Sequence, residues 1–322
     1  MNTLLFGDPS PSLRWRAAVE LDDAREDDEV MEWRAEIDRS DDIRALVARL
    51  AAARDHPQAA GYLLCQLAYL GYRGPAAAEA VEGIFRHQAP DGSWPVGGAA
   101  APPRSKRRRG NVPMLPAAES YRMITMLTAL PLRGIAAAGF ATDPRAERAY
   151  DWLVGQRLND GSWTGSHKAD LGLDGRSSGE DPPYRKLSPG EGCRSATTGA
   201  VACLALHPER RRAEAATLGV AHLLAQNTRH AASIGLELSR LVGREPASGT
   251  FTFYVATDPV FLLDLASRCG FSPDHHHLRD LVDDVTRRRG GYGLWQHPAH
   301  PQLSRWLTFD IERSLRRFGH AD

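Results

Sequence analysis

The chain has 322 residues, and its forty basic and forty acidic side chains give a formal net charge of zero. A balanced charge provides no overall field to attract nucleic acid or an anionic membrane, so we expect a small-molecule partner and no nucleic acid. No run of eighteen apolar residues occurs, and the four cysteines show no CxxC spacing. These features predict reduced thiols and a cytoplasmic protein with at most peripheral membrane contact, and they leave the oligomeric state open.

The first 54 residues are charged and predict two amphipathic helices, at residues 12–37 and 41–54, with Ser or Asp residues at their starts as possible caps. We expect both helices to pack on the outside of the domain that follows. From Pro57 onwards, apolar helices alternate with more polar ones, which predicts pairs of inner and outer helices. Residues 55–322 are therefore expected to form one domain.

The alternation predicts about twelve helices and hardly any strand, which is an all-α fold. The predicted inner helices are residues 57–71, 116–132, 195–206, 257–269 and 305–317. The predicted outer helices are residues 76–87, 143–157, 208–226 and 274–288, with a further short helix at 231–242.

Two long loops interrupt this pattern. Residues 96–113 are rich in Gly and Pro and then strongly basic at 104–109, which suits either a diphosphate clamp or a solvated loop tip. Residues 164–192 show no apolar periodicity, and loops of that length are typical of lids or disordered segments. We expect this second loop to cover one mouth of the domain.

One short pattern, in which a helix ends in Gln and is followed by a tight turn and a Trp, occurs three times. The copies are IFRHQAPDGSW at residues 84–94, YDWLVGQRLNDGSW at 150–163 and RRGGYGLW at 288–295. Gln88 and Gln156 are predicted to bond backbone groups left unpaired at the helix end, and Arg288 stands at the Gln position of the third copy. Recurrence at intervals of about 70 and 130 residues indicates a structural repeat.

These units resemble the Gln-Trp repeats of squalene-hopene and oxidosqualene cyclases, and the looser repeats of protein prenyltransferase β subunits, over residues 55–318. The resemblance implies an α/α toroid, a single barrel of inner and outer helices around an apolar cavity. Trp94, Trp163 and Trp295 would then pack at helix–turn junctions on the outside of the ring. It also implies a terpene cyclase-like enzyme that acts on a prenyl chain or a prenylated small molecule by acid-initiated cyclisation or rearrangement. No metal or other cofactor is predicted.

Class II terpene cyclases donate a proton from the central Asp of a DxDD motif at the start of an inner helix, and this chain has no DxDD. Residues 55–58 (DHPQ) stand at the corresponding place. We choose Asp258 as the acid because Pro259 follows it at a helix start and apolar neighbours would desolvate its carboxyl, which favours the protonated form. Asp55 and Asp310 are the reserve candidates, and helix capping is the alternative role for all three.

The other predicted site residues begin the inner helices or supply aromatic faces near them. Parallel inner helices would bring their N-termini to one mouth of the cavity, where their dipoles suit a carboxylate or phosphorylated substrate. Aromatic faces stabilise carbocations. The predicted substrate-binding residues are His56, Gln58, Tyr62, Glu119, Arg122, Arg194, Thr197, Tyr254, Phe261, Arg305 and Trp306.

Two other functions remain open. A non-catalytic prenyl- or lipid-binding protein would keep the toroid and its cavity without the DxDD acid. A prenyltransferase-like subunit would need zinc ligands, but the chain has no Asp-x-Cys pair. The consecutive His275, His276 and His277 are expected to point in different directions and not to converge on a metal.

Overall fold

The protein is described by a computed structural model over residues 3–24, 27–94, 125–164, 192–226, 231–244 and 255–319. Every regular element in these ranges is helical, apart from isolated bridges that pair Arg157 with Trp163 and Arg289 with Trp295. The predicted all-α class is therefore confirmed for these residues. None of these helices combines the length and apolar content that a membrane crossing requires.

Thirteen α-helices are described, and a short π-helical segment, Ala136–Phe140, continues the sixth. The helices are α1 (Pro11–Leu21), α2 (Asp28–Arg39), α3 (Asp41–Ala52), α4 (Pro57–Tyr69), α5 (Pro75–Phe85), α6 (Thr125–Ile135), α7 (Pro144–Gly155), α8 (Arg194–Leu204), α9 (Glu214–Ala225), α10 (Leu236–Leu241), α11 (Pro259–Arg268), α12 (His276–Thr286) and α13 (Ser304–Arg317).

The prediction of one helix over residues 12–37 is wrong, because the chain breaks between α1 and α2. Asp23 has a positive φ of 56°, and Asp27 caps α2 by accepting a hydrogen bond from a backbone N–H of its first turn. Asp is among the residues that tolerate both conformations. Helix α1, expected on the outside of the domain, packs against α13 and contributes Arg16 and Glu20 to the lining of a cavity.

Most of the other helix boundaries agree with the prediction to within a few residues. The predicted helix at 208–226 begins instead with a 3-10 turn, Arg210–Arg212, before α9. The basic loop at 96–113, the first part of the inner helix at 116–132 and residues 165–191 of the expected cover lie outside the described residues. All four cysteines are free thiols, as expected.

The predicted pairing of apolar and polar helices is present. Helix α4 packs against α6, α6 against α8, and α11 against α13. The more polar helices lie on these: α5 on α4, α7 on α6, α9 on α8, and α12 on α11. Helices α4 and α6 touch through their backbones, because a Cβ atom on Gly61 would lie only 2.6 Å from the carbonyl oxygen of Leu130.

Each of the three repeat tryptophans forms the same two hydrogen bonds. The indole Nε1 donates to the carbonyl ten residues earlier, at 2.9 Å for Trp94 and 2.7 Å for Trp163 and Trp295. The backbone N–H donates to a threonine hydroxyl on the next apolar helix, at 3.2, 2.9 and 2.9 Å for Thr128, Thr197 and Thr308. The predicted packing of the tryptophans at helix–turn junctions is confirmed, and each one joins a polar helix to the apolar helix that follows.

The position predicted for the repeat's polar side chain is wrong by one residue in the third copy. Gln88 donates from Nε2 across its turn to the carbonyl oxygen of Gly92 at 2.9 Å. The counterpart in the third copy is a 3.2 Å bond from Nε of Arg289 to the carbonyl of Gly293. Arg288 does not hold this position.

In the second copy, too, the residue at the repeat's polar position lies one residue after the predicted one. Gln156 stands seven positions before Trp163, whereas Gln88 stands six positions before Trp94. It is Arg157 that pairs with Trp163 across the turn, while Gln156 is the buried C-cap residue of α7. The turn has the same length in both copies, since the N–H of Leu158 bonds the carbonyl of Ser162 as the N–H of Ala89 bonds that of Ser93. Arg157 rather than Gln156 therefore stands at the position of Gln88.

Candidate functional site

A cavity of about 340 Å³ lies among α1, α4, α6, α8, α10, α11 and α13. Its volume falls in the range of small-molecule sites. The lining is mixed and not purely apolar as expected. Among the described residues, five arginines and five carboxylic acids contribute to it: Arg16, Arg73, Arg133, Arg268, Arg313, Glu20, Glu237, Asp258, Asp264 and Asp310. A second part of the wall is apolar and comes mainly from α8, α10 and α11: Ala202, Ala205, Leu206, Leu238, Leu241, Val260, Phe261 and Leu265.

The cavity lies nearer the C-terminal than the N-terminal ends of several helices. Helices α4, α6 and α8 contribute residues from their last turns, such as Tyr69, Arg133 and Ala202. Cations are favourable at helix C-termini because the helix dipole is negative there, which accounts for part of the arginine content. Of the predicted site residues that the structure describes, Asp258, Phe261 and Asp310 line the cavity and the others do not.

Asp258 is the N-cap residue of α11 and is 1% exposed. Its Oδ1 accepts hydrogen bonds from the backbone N–H groups of Val260 at 3.0 Å and Gly235 at 3.2 Å, and its Oδ2 accepts from that of Glu237 at 3.1 Å. Burial raises the pKa of Asp258 to about 7, although these donors oppose the rise. The carboxyl therefore caps its helix and carries a proton part of the time near neutral pH.

Asp310, a reserve candidate, lies on α13 and also faces the cavity. Its Oδ2 accepts a hydrogen bond from the Tyr69 hydroxyl at 2.8 Å, and its Oδ1 lies 2.9 Å from Nη2 of Arg313. The ring of Trp306 stacks behind Tyr69 with centroids 5.4 Å apart. Burial raises the pKa of Asp310 against the opposing charge of Arg313. Trp306 thus packs behind a cavity-lining residue and does not line the cavity itself.

Asp55, the acid at the family's motif position, is on the surface. Its side chain is 72% exposed, and its ion pair with Arg54 is 3.8 Å long. His56 is exposed as well, and Gln58 donates to the carbonyl of Leu127 at 3.4 Å. The motif position therefore contributes nothing to the described cavity lining.

Tyr62 and Arg194 hold backbone segments together. The Tyr62 hydroxyl donates to the carbonyl of Arg240 at 2.7 Å and so joins α4 to α10. Arg194 donates from Nε to the carbonyl of Ala256 at 2.8 Å and from Nη1 to Gln226 Oε1 at 2.8 Å. Tyr62 thus joins two helices of the cavity wall, Arg194 joins α8 to the segments that end at Gln226 and precede α11, and neither side chain lines the cavity.

Thr197 and Arg305 also have structural partners. Thr197 accepts the backbone N–H of Trp163, and Arg305 donates to the carbonyl of Gly7 at 3.1 Å. The remaining predicted residues, Glu119, Arg122 and Tyr254, lie outside the described residues. The structure thus brings Asp258, Asp310 and Phe261 together at one cavity and places the other described members of the predicted set outside its lining.

Sequence reasoning missed a buried ion-pair triad beside Asp258. Glu237 is 3% exposed and accepts hydrogen bonds from Nη1 of Arg133 at 2.6 Å and from Nη1 of Arg240 at 2.9 Å. Arg133 also lies over the ring of Phe261, 5.2 Å from its centroid. One feature of the sequence could have indicated this triad. Arg133 is a charged residue near the end of an apolar helix, and a buried charge needs a partner.

A second missed network joins α1, α11 and α13. Glu20 accepts from Nε of Arg16 at 2.6 Å and from Nη1 of Arg313 at 3.1 Å. Asp264 accepts from three guanidinium groups, at 2.8 Å from Arg268, 3.1 Å from Arg313 and 2.9 Å from Arg317. These contacts lower the pKa of Glu20 and of Asp264 although burial opposes them, so both are carboxylates.

The expectation that the three consecutive histidines point apart is wrong. The ring centroids of His275 and His276 are 4.8 Å apart, and those of His276 and His277 are 3.9 Å apart. Among the described residues, however, no group of three or more His, Cys, Asp or Glu side chains is arranged to hold a metal ion.

No protein-family model matches this chain, and no curated protein matches it. The resemblance to cyclase repeats therefore depends on the residues of the repeat.

Proposed function

We propose that the described helices form an α/α toroid, with α4, α6, α8, α11 and α13 inside and α5, α7, α9 and α12 outside. Two observations support this arrangement. Each outer helix packs on the inner helix that precedes it in the chain, and each repeat tryptophan joins an outer helix to the following inner helix. The cavity lies among the five inner helices, with α1 and α10 completing its wall.

We further propose that this protein is a small terpene cyclase-like enzyme that uses Asp258 as a general acid on a prenylated small molecule. The observation that carries the proposal is a buried carboxyl on a cavity wall, held by backbone N–H groups from the starts of two helices. After Asp258 gives up its proton, those N–H groups stabilise the carboxylate that remains.

The acidity of Asp258 limits which groups of a substrate it can protonate. A pKa of about 7 is suited to proton transfer near neutral pH. Such an acid can protonate an oxygen, as in an epoxide or a departing hydroxyl group, whereas an unactivated alkene requires a far stronger acid. The proposed reaction is therefore an oxygen-initiated cyclisation or rearrangement, with the prenyl chain against the apolar wall that includes Leu238, Val260 and Phe261.

The first experiment compares turnover by two variants. Purified protein is incubated with prenyl epoxides and prenyl alcohols of increasing length, and products are identified by gas chromatography and mass spectrometry. Asp258→Asn is expected to abolish turnover. Asp143→Asn is the matched control, because Asp143 caps α7 and does not line the cavity.

Stability is measured for both variants by circular dichroism. Asn can accept hydrogen bonds with only one of its two terminal side-chain atoms, so Asp258→Asn should lose part of the cap and melt at a lower temperature than wild type. Assays are therefore run below both melting temperatures. Undiminished turnover by folded Asp258→Asn would remove this residue from the mechanism.

The second experiment is a pH profile. Because the acid must be protonated, the wild-type rate should fall as the pH rises through about 7. A rate that stays constant between pH 6 and pH 8 would contradict the assignment of Asp258 as the acid.

The same contacts favour a second candidate, a non-catalytic prenyl- or lipid-binding protein. Both oxygens of Asp258 already accept backbone N–H groups, and Asp310 is paired with Arg313. Each acid therefore has a structural role that needs no chemistry. Saturable binding of a prenyl alcohol without any product would support this candidate, while the prenyltransferase-like subunit remains a prediction from the repeat alone.

A further inference from the structure

Five arginines gather where α1, α4, α11 and α13 meet, at one end of the cavity, and we call this group the arginine end. Its members are Arg16, Arg73, Arg268, Arg313 and Arg317; all but Arg317 line the cavity. The carboxylic acids among them are Glu20, Asp264 and Asp310. Even with all three acids ionised, the cations outnumber them by two.

The carboxylates of the arginine end are already occupied. Glu20 and Asp264 accept hydrogen bonds from four of the five guanidinium groups. The exception is Arg73, which donates to the backbone carbonyls of Ala68 at 3.3 Å and Tyr72 at 2.9 Å. Within the described ranges, no carboxylate lies in ion-pair distance of Arg73.

Arg73 lies at the mouth of the cavity, because it is exposed and yet part of the lining. Partial desolvation and the neighbouring charge of Arg16 lower the pKa of Arg73. Desolvation, together with the charge of Arg268, also lowers the pKa of Arg317 to about 10. Both shifts agree with a surplus of positive charge that the carboxylates of the described residues do not balance.

Arg268 supplies a second set of unused donors. Its Nε donates to Oδ2 of Asp264 at 2.8 Å, which fixes the guanidinium plane against the wall. In the part of the chain that the structure describes, Nη1 and Nη2 of Arg268 have no protein hydrogen-bond partner. A guanidinium that is held at one edge presents its other donors as a preorganised fork for an oxyanion.

We infer that the arginine end binds an oxyanion group of the ligand, a phosphate or a carboxylate, through Arg73 at the mouth and Arg268 in the wall. The inference rests on the proposed function and deepens it, since the substrate becomes a prenylated molecule with an anionic group. The prenyl chain of the ligand lies against the apolar wall of α8 and α10, and its anionic group binds at the arginine end.

The test measures anion binding directly by isothermal titration calorimetry at constant ionic strength, adjusted with sodium chloride. The probes are pyrophosphate, inorganic phosphate and acetate. Binding of the phosphates alone identifies a phosphorylated ligand, and binding of acetate identifies a carboxylate. Failure of all three probes to bind to the wild type would overturn the inference.

Arg73→Gln is the main variant, because Arg73 is exposed and takes no part in an ion pair, so its replacement should leave the fold intact. Loss of one charge-assisted contact should weaken anion binding by about tenfold or more. Arg268→Gln should weaken it similarly. The control is Arg44→Gln on α3, whose arginine is paired with Asp41 outside the cavity lining and whose affinity should match the wild type.

The anion site and the acid can fail separately. Asp258→Asn should bind the anions with wild-type affinity, because Asp258 makes no contact with Arg73 or Arg268. Turnover by Asp258→Asn would contradict the assignment of Asp258 as the general acid without affecting the inference of an anion site. Wild-type anion affinity in both Arg73→Gln and Arg268→Gln would contradict the anion site, whatever the outcome for Asp258.

Discussion

The indole Nε1 of Trp163 donates a hydrogen bond of 2.7 Å to the carbonyl oxygen of Leu153 in α7. The backbone N–H of the same residue donates to Thr197 in α8 at 2.9 Å. One tryptophan thus connects two successive helices, and Trp94 and Trp295 make the same pair of bonds. The stability of the protein should depend strongly on these connections.

We predict that Trp163→Ala lowers the free energy of unfolding by about 3–5 kcal/mol, because it empties a fully buried site and leaves a helix carbonyl without its donor. Urea denaturation followed by circular dichroism measures the change. Tyr292→Ala is the control, since Tyr292 is 88% exposed and its loss should change the stability by no more than about 0.5 kcal/mol. A loss below about 1 kcal/mol for Trp163→Ala would refute this connecting role.

Thr197→Val tests the second bond of the same connection. Valine fills the space of threonine but cannot accept the backbone N–H of Trp163, which would stay buried and unpaired, so we expect a loss of about 1–3 kcal/mol. Thr128→Val should behave alike in the first copy. Thr217→Val in α9 is the control, because the Thr217 hydroxyl bonds only carbonyls of its own turn. Equal stability of the Thr197 and Thr217 variants would show that the bond contributes nothing.

Gly61→Ala should destabilise the contact between α4 and α6. The added Cβ would lie 2.6 Å from the carbonyl oxygen of Leu130 and from Cα of Pro131, so the two helices must move apart at a cost of about 1–3 kcal/mol or more. Gly155→Ala in α7 is the matched control. A Cβ there meets nothing within 4 Å, and the substitution should stabilise the helix by about 0.5–1 kcal/mol. The two variants should therefore shift the urea midpoint in opposite directions.

The pKa of Asp258 predicts how stability depends on pH. It is raised in the folded protein to about 7 from an ordinary value of 3.8, so the folded state holds the proton more tightly than the unfolded state. The resulting stabilisation is complete below about pH 4 and is lost as the pH rises through 7. The stability of wild type minus that of Asp258→Asn should fall across this window by an amount on the order of 4 kcal/mol.

Urea denaturation of both proteins at several pH values between 4 and 8 measures this difference. All other titrating groups are common to the two proteins and cancel in the subtraction. A difference that does not change with pH would show that Asp258 is ionised in the folded protein throughout the range.

The repeat could be predicted from the sequence because its signal is local. A tryptophan, a positive-φ glycine and the preceding helix end lie within about a dozen residues of one another, so the pattern of side chains alone indicates their contacts. The error at Gln156 shows the limit of this reading. Gln156 and Arg157 adjoin one another at the helix end, and only the pairing of Arg157 with Trp163 shows which of the two holds the repeat's position.

Asp258 could also be predicted from a local signal, because Pro259 and the apolar residues around its carboxyl adjoin it in the chain. The arginine end could not be predicted, because its contacts join distant segments: Arg313 and Glu20 are 293 residues apart, and Arg317 and Asp264 are 53 apart. A charged residue in an amphipathic helix suits either solvent or a buried ion pair, and the sequence around it is the same in both cases.

By itself the sequence determined the all-α class, the alternation of apolar and polar helices, the three tryptophan connections and one acid of the cavity. These follow from periodicity and turn chemistry, which act over a few residues. The tertiary structure decided that α1 lines the cavity, that Asp55 faces solvent and that arginines gather at one end. The free energy of a buried charge depends on the partners that folding brings to it from elsewhere in the chain, and no local pattern encodes those partners.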